Sequence, residues 1–364
     1  MVQSEKIPFS EIFPWATFRR QAKADLAPPT TSFEGKTILL VGATGAILSE
    51  AARIITRLSV STLILAVRNV AKGESLADEL RKAIEDGSRH QPKITVMEVD
   101  LLSFDSVKTF ATRINDSQHR IDVVVMGSAI MNNETRVTAD GWEETLQLIH
   151  LSSALLILLL FPKMLADGGT QPVVLCSLTS AAIRSAAPMV ELPNDAKDCY
   201  LKQVSIVKDA ATQKSYQYGL AKIIHACWIR ELCARHLSGS DPRIHFHQLD
   251  PGACFTPLSS QVFIGRLLLW FIGRPVEMCA RTVVNSCLPL MGSHGRLLVD
   301  YDIAPYPEFM DSLPYANIHL RGQDTRVGTP AQGLARDKPG IGELSHSSSE
   351  TFSLWPKFMT RFPT

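Results

Sequence analysis

Tyr218 and Lys222 are the two residues of this chain whose types and spacing are best suited to moving a proton. In Tyr218-Gly219-Leu220-Ala221-Lys222 the phenol and the ammonium stand four residues apart, which on an α-helix means one face and roughly one turn of separation. A lysine charge beside a phenol favours the phenolate, making the tyrosine a usable proton donor and acceptor near neutral pH. The chemistry is transfer of a proton to or from a carbonyl or alcohol oxygen. Such a pair also describes an aromatic packed beside a solvated lysine, so the surrounding elements must decide.

Those elements alternate. The apolar run Thr37 to Val41 reads as a buried strand, and Gly42 to Leu48 as a glycine-bearing turn. A helical period then follows at Ile47, Ala51, Ile54, Ile55 and Leu58. Strand, glycine turn and helix are how a dinucleotide pyrophosphate is held, with backbone N–H groups and the helix N-terminus facing the anion; a tight turn without a ligand has the same pattern. A second strand, Leu63 to Val67, ends at Arg68. An acidic residue there would suit a ribose 2′-hydroxyl, whereas Arg68, with Lys72, suits a 2′-phosphate and so NADP. The strand Ile94 to Val99 closes on Asp100-Leu101, where a carboxylate could accept from the adenine amino group.

Further strands are expected at Ile121–Val125, Val173–Cys176, Arg243–Leu249 and Arg296–Val299. Helices are expected at 73–86, 106–114, 141–165, 218–237 and 276–288. This alternation makes the fold class α/β, a doubly wound parallel sheet of the Rossmann type. The expected organisation is an N-terminal extension (1–34), one Rossmann domain (35–304) and a loosely packed tail (305–364). Within the domain, 181–212 and 255–275 are expected to cover a substrate cavity. The nearly all-apolar run Val262 to Ile272 fits a lid over a hydrophobic substrate, with a dimer contact or a membrane-touching patch as alternatives.

The net charge of +1, without a basic block, gives nucleic-acid binding no electrostatic support. Seven cysteines form no Cys-x-x-Cys pair and lie mostly in apolar runs, as expected for buried thiols in a reducing compartment. His245 and His247 share a strand face but have no third ligand at metal spacing, so no metal site is expected. No signal peptide is visible, and the run Ala154 to Phe161 is too short to span a bilayer. A cytoplasmic protein is the expectation.

The order of these pieces resembles the short-chain dehydrogenase/reductase family from about Gly35 to Asp302, and most closely its retinol-dehydrogenase-like branch and reductases of fungal secondary-metabolite pathways. Gly35-Lys36-Thr37, Leu65-Ala66-Val67-Arg68-Asn69, Asp100-Leu101-Leu102-Ser103, the Tyr218–Lys222 stretch, Asp250-Pro251-Gly252 with Thr256, and Ser293-His294-Gly295 carry the likeness. The resemblance implies NADP along the C-terminal edge of the sheet, Tyr218 as proton donor, and Lys222 holding the nicotinamide ribose while lowering the tyrosine pKa. It places cofactor contacts at Gly42, Ile47, Leu48, Arg68, Lys72, Asp100, Leu101, Gly127, Tyr218, Lys222 and Thr256.

The chain also departs from the family pattern. Of the three glycines in Thr-Gly-x-x-x-Gly-x-Gly only Gly42 remains, with Ala46 and Leu48 at the others. Leu48 puts a branched side chain where backbone must approach closely. Asn-Asn-Ala-Gly after the fourth strand becomes Met126-Gly127-Ser128-Ala129. The helix asparagine falls on Ile149, and the substrate-polarising serine on Leu178, with Ser177 or Thr179 as candidate replacement hydroxyls and Ser177 taken as the catalytic one. The favoured function is an NADP-dependent oxidoreductase interconverting a carbonyl and an alcohol on a hydrophobic small molecule, in a fungal secondary-metabolite pathway and possible as a homo-oligomer. A non-redox enzyme on the same scaffold (isomerase, dehydratase or cyclase) and a non-catalytic ligand or partner binder stay open.

Overall fold

The computed structural model describes residues 26–85, 91–131, 135–168, 171–185, 201, 213–236, 243–254, 256 and 273–312. The chain divides into two compact units, Met1–Ile318 and His319–Thr364, and every described residue belongs to the first. Most of the two expected covering segments, including Val262 to Ile272, lies outside the described residues.

Eight strands form one sheet: β1 (Thr37–Val41), β2 (Thr62–Val67), β3 (Lys93–Glu98), β4 (Val123–Met126), β5 (Val173–Leu178), β6 (Ile244–Asp250), β7 (Leu297–Val299) and β8 (Asp302–Ala304). Their order is β3-β2-β1-β4-β5-β6-β7-β8. β1 to β7 pair in parallel, with Ile38 beside Leu63 and Val123, and Leu178 beside Leu249. Every residue of β1, β2, β4 and β5 is buried, as a parallel sheet covered on both faces requires. The antiparallel edge strand β8 was not expected; it follows β7 through a tight turn at Asp300, where φ is 57°.

Helices α1 (Ala46–Arg57), α2 (Val70–Glu85) and α3 (Phe104–Asn115) connect the first strands. α1 buries Leu48, Ala51, Ala52, Ile54 and Ile55 in the same core as Ala280, Val283 and Val284 of α8 (Val276–Asn285). Each fully buried leucine or isoleucine contributes roughly 1.5–3 kcal/mol. α7 (Gln213–His236) carries the Tyr218–Lys222 face, and starts five residues earlier than expected.

The long helix expected at 141–165 comes in three pieces: α4 (Glu144–Leu146), a π-helical turn at Gln147–Leu151, and α5 (Ser152–Asp167). Ser153 Oγ donates to Leu148 O at 2.8 Å, occupying a carbonyl at the widened turn. The whole helix Glu144–Asp167 is long and apolar enough to cross a membrane, and its most apolar part is mostly buried inside the protein. The first residues past 304 pack onto the domain rather than hanging loosely. Met310 is buried, and Gln248 donates to Tyr306 Oη at 2.7 Å. The short helix α9 (Phe309–Ser312) ends the described chain; α6 (Ala182–Ser185) follows β5.

Candidate active site

The strand order reverses between β1 and β4, and a cavity of about 470 Å³ opens there at the C-terminal ends of the strands. Its wall includes Gly42, Ile47, Leu48, Arg68, Asp100, Leu101, Gly127 and Thr256, so the structure brings together most of the residues singled out as cofactor contacts.

β1 hands the chain to Gly42, whose φ of 88° favours glycine. A Cβ there would stand 2.5 Å from Ser128 Oγ. The Gly45 N–H donates to Gly42 O at 2.9 Å, and Gly45 then caps α1 with no side-chain hydrogen bond and no acidic residue in the first turn. Thr44, Gly45, Ala46 and Ile47 line the cavity, so the positive end of α1 faces it and suits an anion.

Leu48 does not block this arrangement. Its side chain is 2% exposed and lies over Gly127, where a Cβ would come within 2.4 Å of Leu48 Cδ1. The bulk added at one position of the turn occupies the space emptied at another.

At the β2 and β3 tips, exposed Arg68 lines the cavity beside Asp100. Asp100 Oδ1 accepts from the Leu102 N–H and its own N–H donates to Ser106 Oγ, both at 2.9 Å, which fixes the carboxylate. Lys72 departs from the expectation. It is exposed on the first turn of α2, where its N–H donates to Asn69 Oδ1 at 2.9 Å, and it is not in the cavity wall.

Tyr218 and Lys222 share the buried face of α7, with Lys222 Nζ 5.9 Å from the phenol ring centre. Lys222 Nζ donates to Leu178 O at 2.6 Å. Leu178 and Thr256 line the cavity; Tyr218 and Lys222, expected as cofactor contacts, are not in its wall, and Lys222 is joined to it through its bond to Leu178 O. The phenol is not made acidic, contrary to expectation: burial and the Asp250 charge outweigh a Ser180 hydrogen bond and push it up to about 12. Burial lowers Lys222 to about 8 against the opposing pull of Asp250. Tyr218 is therefore a proton donor near neutral pH, held in the phenol form.

Ser177 is not brought to Tyr218. Successive side chains of a strand point to opposite faces, and Ser177 points away from the cavity that its neighbour Leu178 lines. Its Oγ sits 3.1 Å from His225 Nε2, and His225 Nδ1 lies 3.4 Å from His150 Nδ1. His225 stacks on Trp228, and burial, followed by the Lys222 charge, lowers it to about 3. The hydroxyl that lowers the Tyr218 phenol against burial belongs to Ser180, two residues beyond the position the family pattern marks. Ile149, 2% exposed, lies in the π-helical turn, so an apolar side chain stands where the pattern has asparagine.

Sequence reasoning missed Ser180, His225 and the role of Asp250. The Ser177–Ser180 cluster was a signal for the first; choosing among its members required the strand's parity. His245 and His247 share Ser293 Oγ, at 2.7 and 3.2 Å, and no group among the described residues is arranged to hold a metal ion.

A family model described as short chain dehydrogenase matches residues 36–188. The short chain dehydrogenase/reductase mfmJ of Annulohypoxylon moriforme is 29% identical over 85% of this chain and 90% of its own length. The short chain dehydrogenase atnD of Emericella nidulans is 30% identical over 75% of this chain and 86% of its own. Among solved structures, a Pseudomonas aeruginosa RhlG/NADP active-site complex has a TM-score of 0.55 at 16% identity, covering 75% of this chain and 97% of that one. A Mycobacterium paratuberculosis protein of similar fold has a TM-score of 0.58 at 19% identity, over 81% and 96%. With the sheet order, the glycine turn at the switch point and the tyrosine–lysine pair behind β5, these likenesses make the chain a member of the short-chain dehydrogenase/reductase family.

Proposed function

We propose that the protein is an NADP-dependent oxidoreductase that interconverts a carbonyl and an alcohol on a hydrophobic small molecule. The observation that carries this reading is a cavity whose wall holds an uncapped helix N-terminus and Arg68 together with Leu178, the residue whose carbonyl oxygen accepts from Lys222, with Tyr218 one turn before that lysine on α7. NADPH bound there would supply the hydride in reduction, and NADP+ would accept it in oxidation. Gly42, Ile47 and Leu48 at the turn would face its diphosphate, Arg68 its 2′-phosphate, and Asp100 and Leu101 its adenine. Gly127 makes room, and Thr256 and Lys222 are the contacts at the reactive end.

In the reduction direction Tyr218 Oη donates its proton to the carbonyl oxygen, and the Ser180 hydroxyl beside it is a second hydrogen-bond donor to that oxygen. Ser180 replaces Ser177 in this assignment because it, and not Ser177, is the hydroxyl at the phenol. The buried ammonium of Lys222 offsets negative charge that develops on the phenol oxygen.

Residues 35–304 are proposed as the catalytic domain, with 181–212 and 255–275 covering the substrate. The likeness to fungal short-chain dehydrogenases supports a place in fungal secondary metabolism. The six thiols buried among the described residues support a reducing compartment, the cytoplasm. Titrating the purified protein with NADPH and NADH, following reduced-nicotinamide fluorescence, tests the cofactor assignment: tighter NADPH binding is expected, and equal or stronger NADH binding overturns it. A second reading, non-redox acid–base chemistry at Tyr218, is favoured by Ile149 and Leu178 in place of polar groups. Turnover without nicotinamide that Tyr218→Phe abolishes would select it.

A further inference from the structure

Arg274 is a cation with 6% exposure, and it joins three segments of chain at the end of the sheet where the cavity opens. Its Nη1 donates to Asp300 Oδ1 at 2.6 Å in the turn between β7 and β8, and its Nη2 donates to Pro251 O at 2.8 Å in the turn after β6. Its backbone N–H donates to Ala253 O at 3.1 Å, and Cys254 pairs with it in an isolated parallel bridge. The next residue, Pro275, is the N-cap of α8. β6 and β7 run in parallel with Asp250 beside Val299, so the two turns stand side by side.

Two backbone conformations are adapted to this clamp. Gly252 has a φ of 85°, and a Cβ there would collide with Arg274 Nη2, so the guanidinium fills space that only a glycine leaves. Asp300 has a φ of 57°, a region that aspartate tolerates better than most residues, and its carboxylate faces the guanidinium. A buried ion pair adds little net stability, because desolvating both charges offsets most of their attraction, and apolar side chains of similar volume would hold a fold as well. What the pair does add is direction. The flat guanidinium reaches two acceptors at fixed angles and so sets the spacing of the two turns. Thr256, two residues beyond Cys254, is in the cavity wall.

We propose that Arg274 and Asp300 are positioning residues, which together fix the turn at 251–254 so that Thr256 is presented to the cavity. The inference rests on the reading of Thr256 as a cofactor contact at the reactive end. Neither Arg274 nor Asp300 lies in the cavity wall, so their influence on a bound nucleotide passes through the turn they hold.

The test is a thermodynamic cycle on the full chain, read by reduced-nicotinamide fluorescence. Arg274→Met with Asp300→Asn removes both charges together, so neither is left buried and unpaired, and asparagine tolerates the backbone at 300. This double variant and Thr256→Ala should each weaken NADPH binding about threefold to tenfold, the loss expected for one hydrogen bond. Combined, they should weaken it no more than the stronger of the two alone; losses that multiply would show independent action and overturn the proposal. Should the double variant not fold, Arg274→Lys keeps the charge and loses the fork, and its loss of affinity should likewise vanish on the Thr256→Ala background. Amide hydrogen exchange without nucleotide is the second arm. The Gly252 amide and the amide at position 274 are both hydrogen-bonded, and in either clamp variant their exchange should rise about tenfold or more while β1 to β5 keep their protection. Unchanged exchange at these two amides, or an equal rise across the sheet, overturns the proposal. Since this arm needs no nucleotide, a local rise in a protein that binds no NADPH would count against the proposed function alone.

Discussion

At the β1–α1 end of the cavity, residues that would touch a cofactor have changed and a neighbour has changed to match: Leu48 is large, and Gly127 beneath it has no side chain. At the β5–α7 end the pair proposed to react is intact and its surroundings differ, with Ile149 and Leu178 apolar and Ser180, His225 and Asp250 polar around Tyr218 and Lys222. The first end answers to shape, because a diphosphate needs open backbone and a clear approach. The second answers to charge, because a buried phenol and ammonium titrate according to every dipole and carboxylate nearby. A glycine turn can thus lose glycines and stay open, whereas a buried tyrosine–lysine pair takes its pKa values from its surroundings and not from its spacing.

Four experiments would break or sharpen that contrast. Tyr218→Phe should lower kcat by about 10²–10⁴-fold with NADPH affinity within twofold of wild type, the loss expected of a general acid outside the binding turn. A parallel loss of binding, seen by fluorescence titration, would erase the division between the ends. Gly127→Val should destabilise the fold by about 1–3 kcal/mol in urea unfolding, because the new side chain meets Leu48. Adding Leu48→Ala to Gly127→Val should recover most of that loss; additive effects in the double variant would show that the two positions are not coupled. Arg68→Ala should weaken NADPH binding about tenfold and leave NADH nearly unaffected, as loss of one partly exposed charge-assisted contact predicts.

A last effect concerns acid. Burial holds His225 and His247 down to about 3 and His245 to about 4, below their ordinary 6.5. The unfolded chain therefore binds these protons more readily. Their contribution to stability is complete above about pH 6.5 and is lost as pH falls toward 4 and 3. Thermal melts between pH 7 and 4 should show a declining Tm, and replacing His245 with Asn should flatten the decline; an unaltered slope would remove His245 from the account.

The sheet was legible in the sequence because its strands are continuous apolar runs and its helices carry a 3.6-residue period, both local signals. β8 was not: Asp302–Ala304 is short, half-exposed and defined by its pairing with β7. The π-helical turn escaped too, since its apolar residues fit an ordinary helix equally well. At the site, the glycine turn, Arg68, Asp100 and the tyrosine–lysine spacing could be read from position along the chain. The Leu48–Gly127 fit joins residues far apart in sequence. The choice of Ser180 over Ser177 depends on where β5 ends, and a one-residue difference turns a side chain to the other face. The pKa of Tyr218 depends on burial, which spacing does not give.

The fit between Leu48 and Gly127 also bears on the order in which such a pair can arise. With the family's asparagine still at 127, a leucine at 48 would meet a side chain at overlapping distance, whereas a glycine at 127 beside a small residue at 48 merely leaves a gap. In the first intermediate the Leu48 side chain must turn aside and in the second nothing need move, so the two single-step routes differ in steric cost.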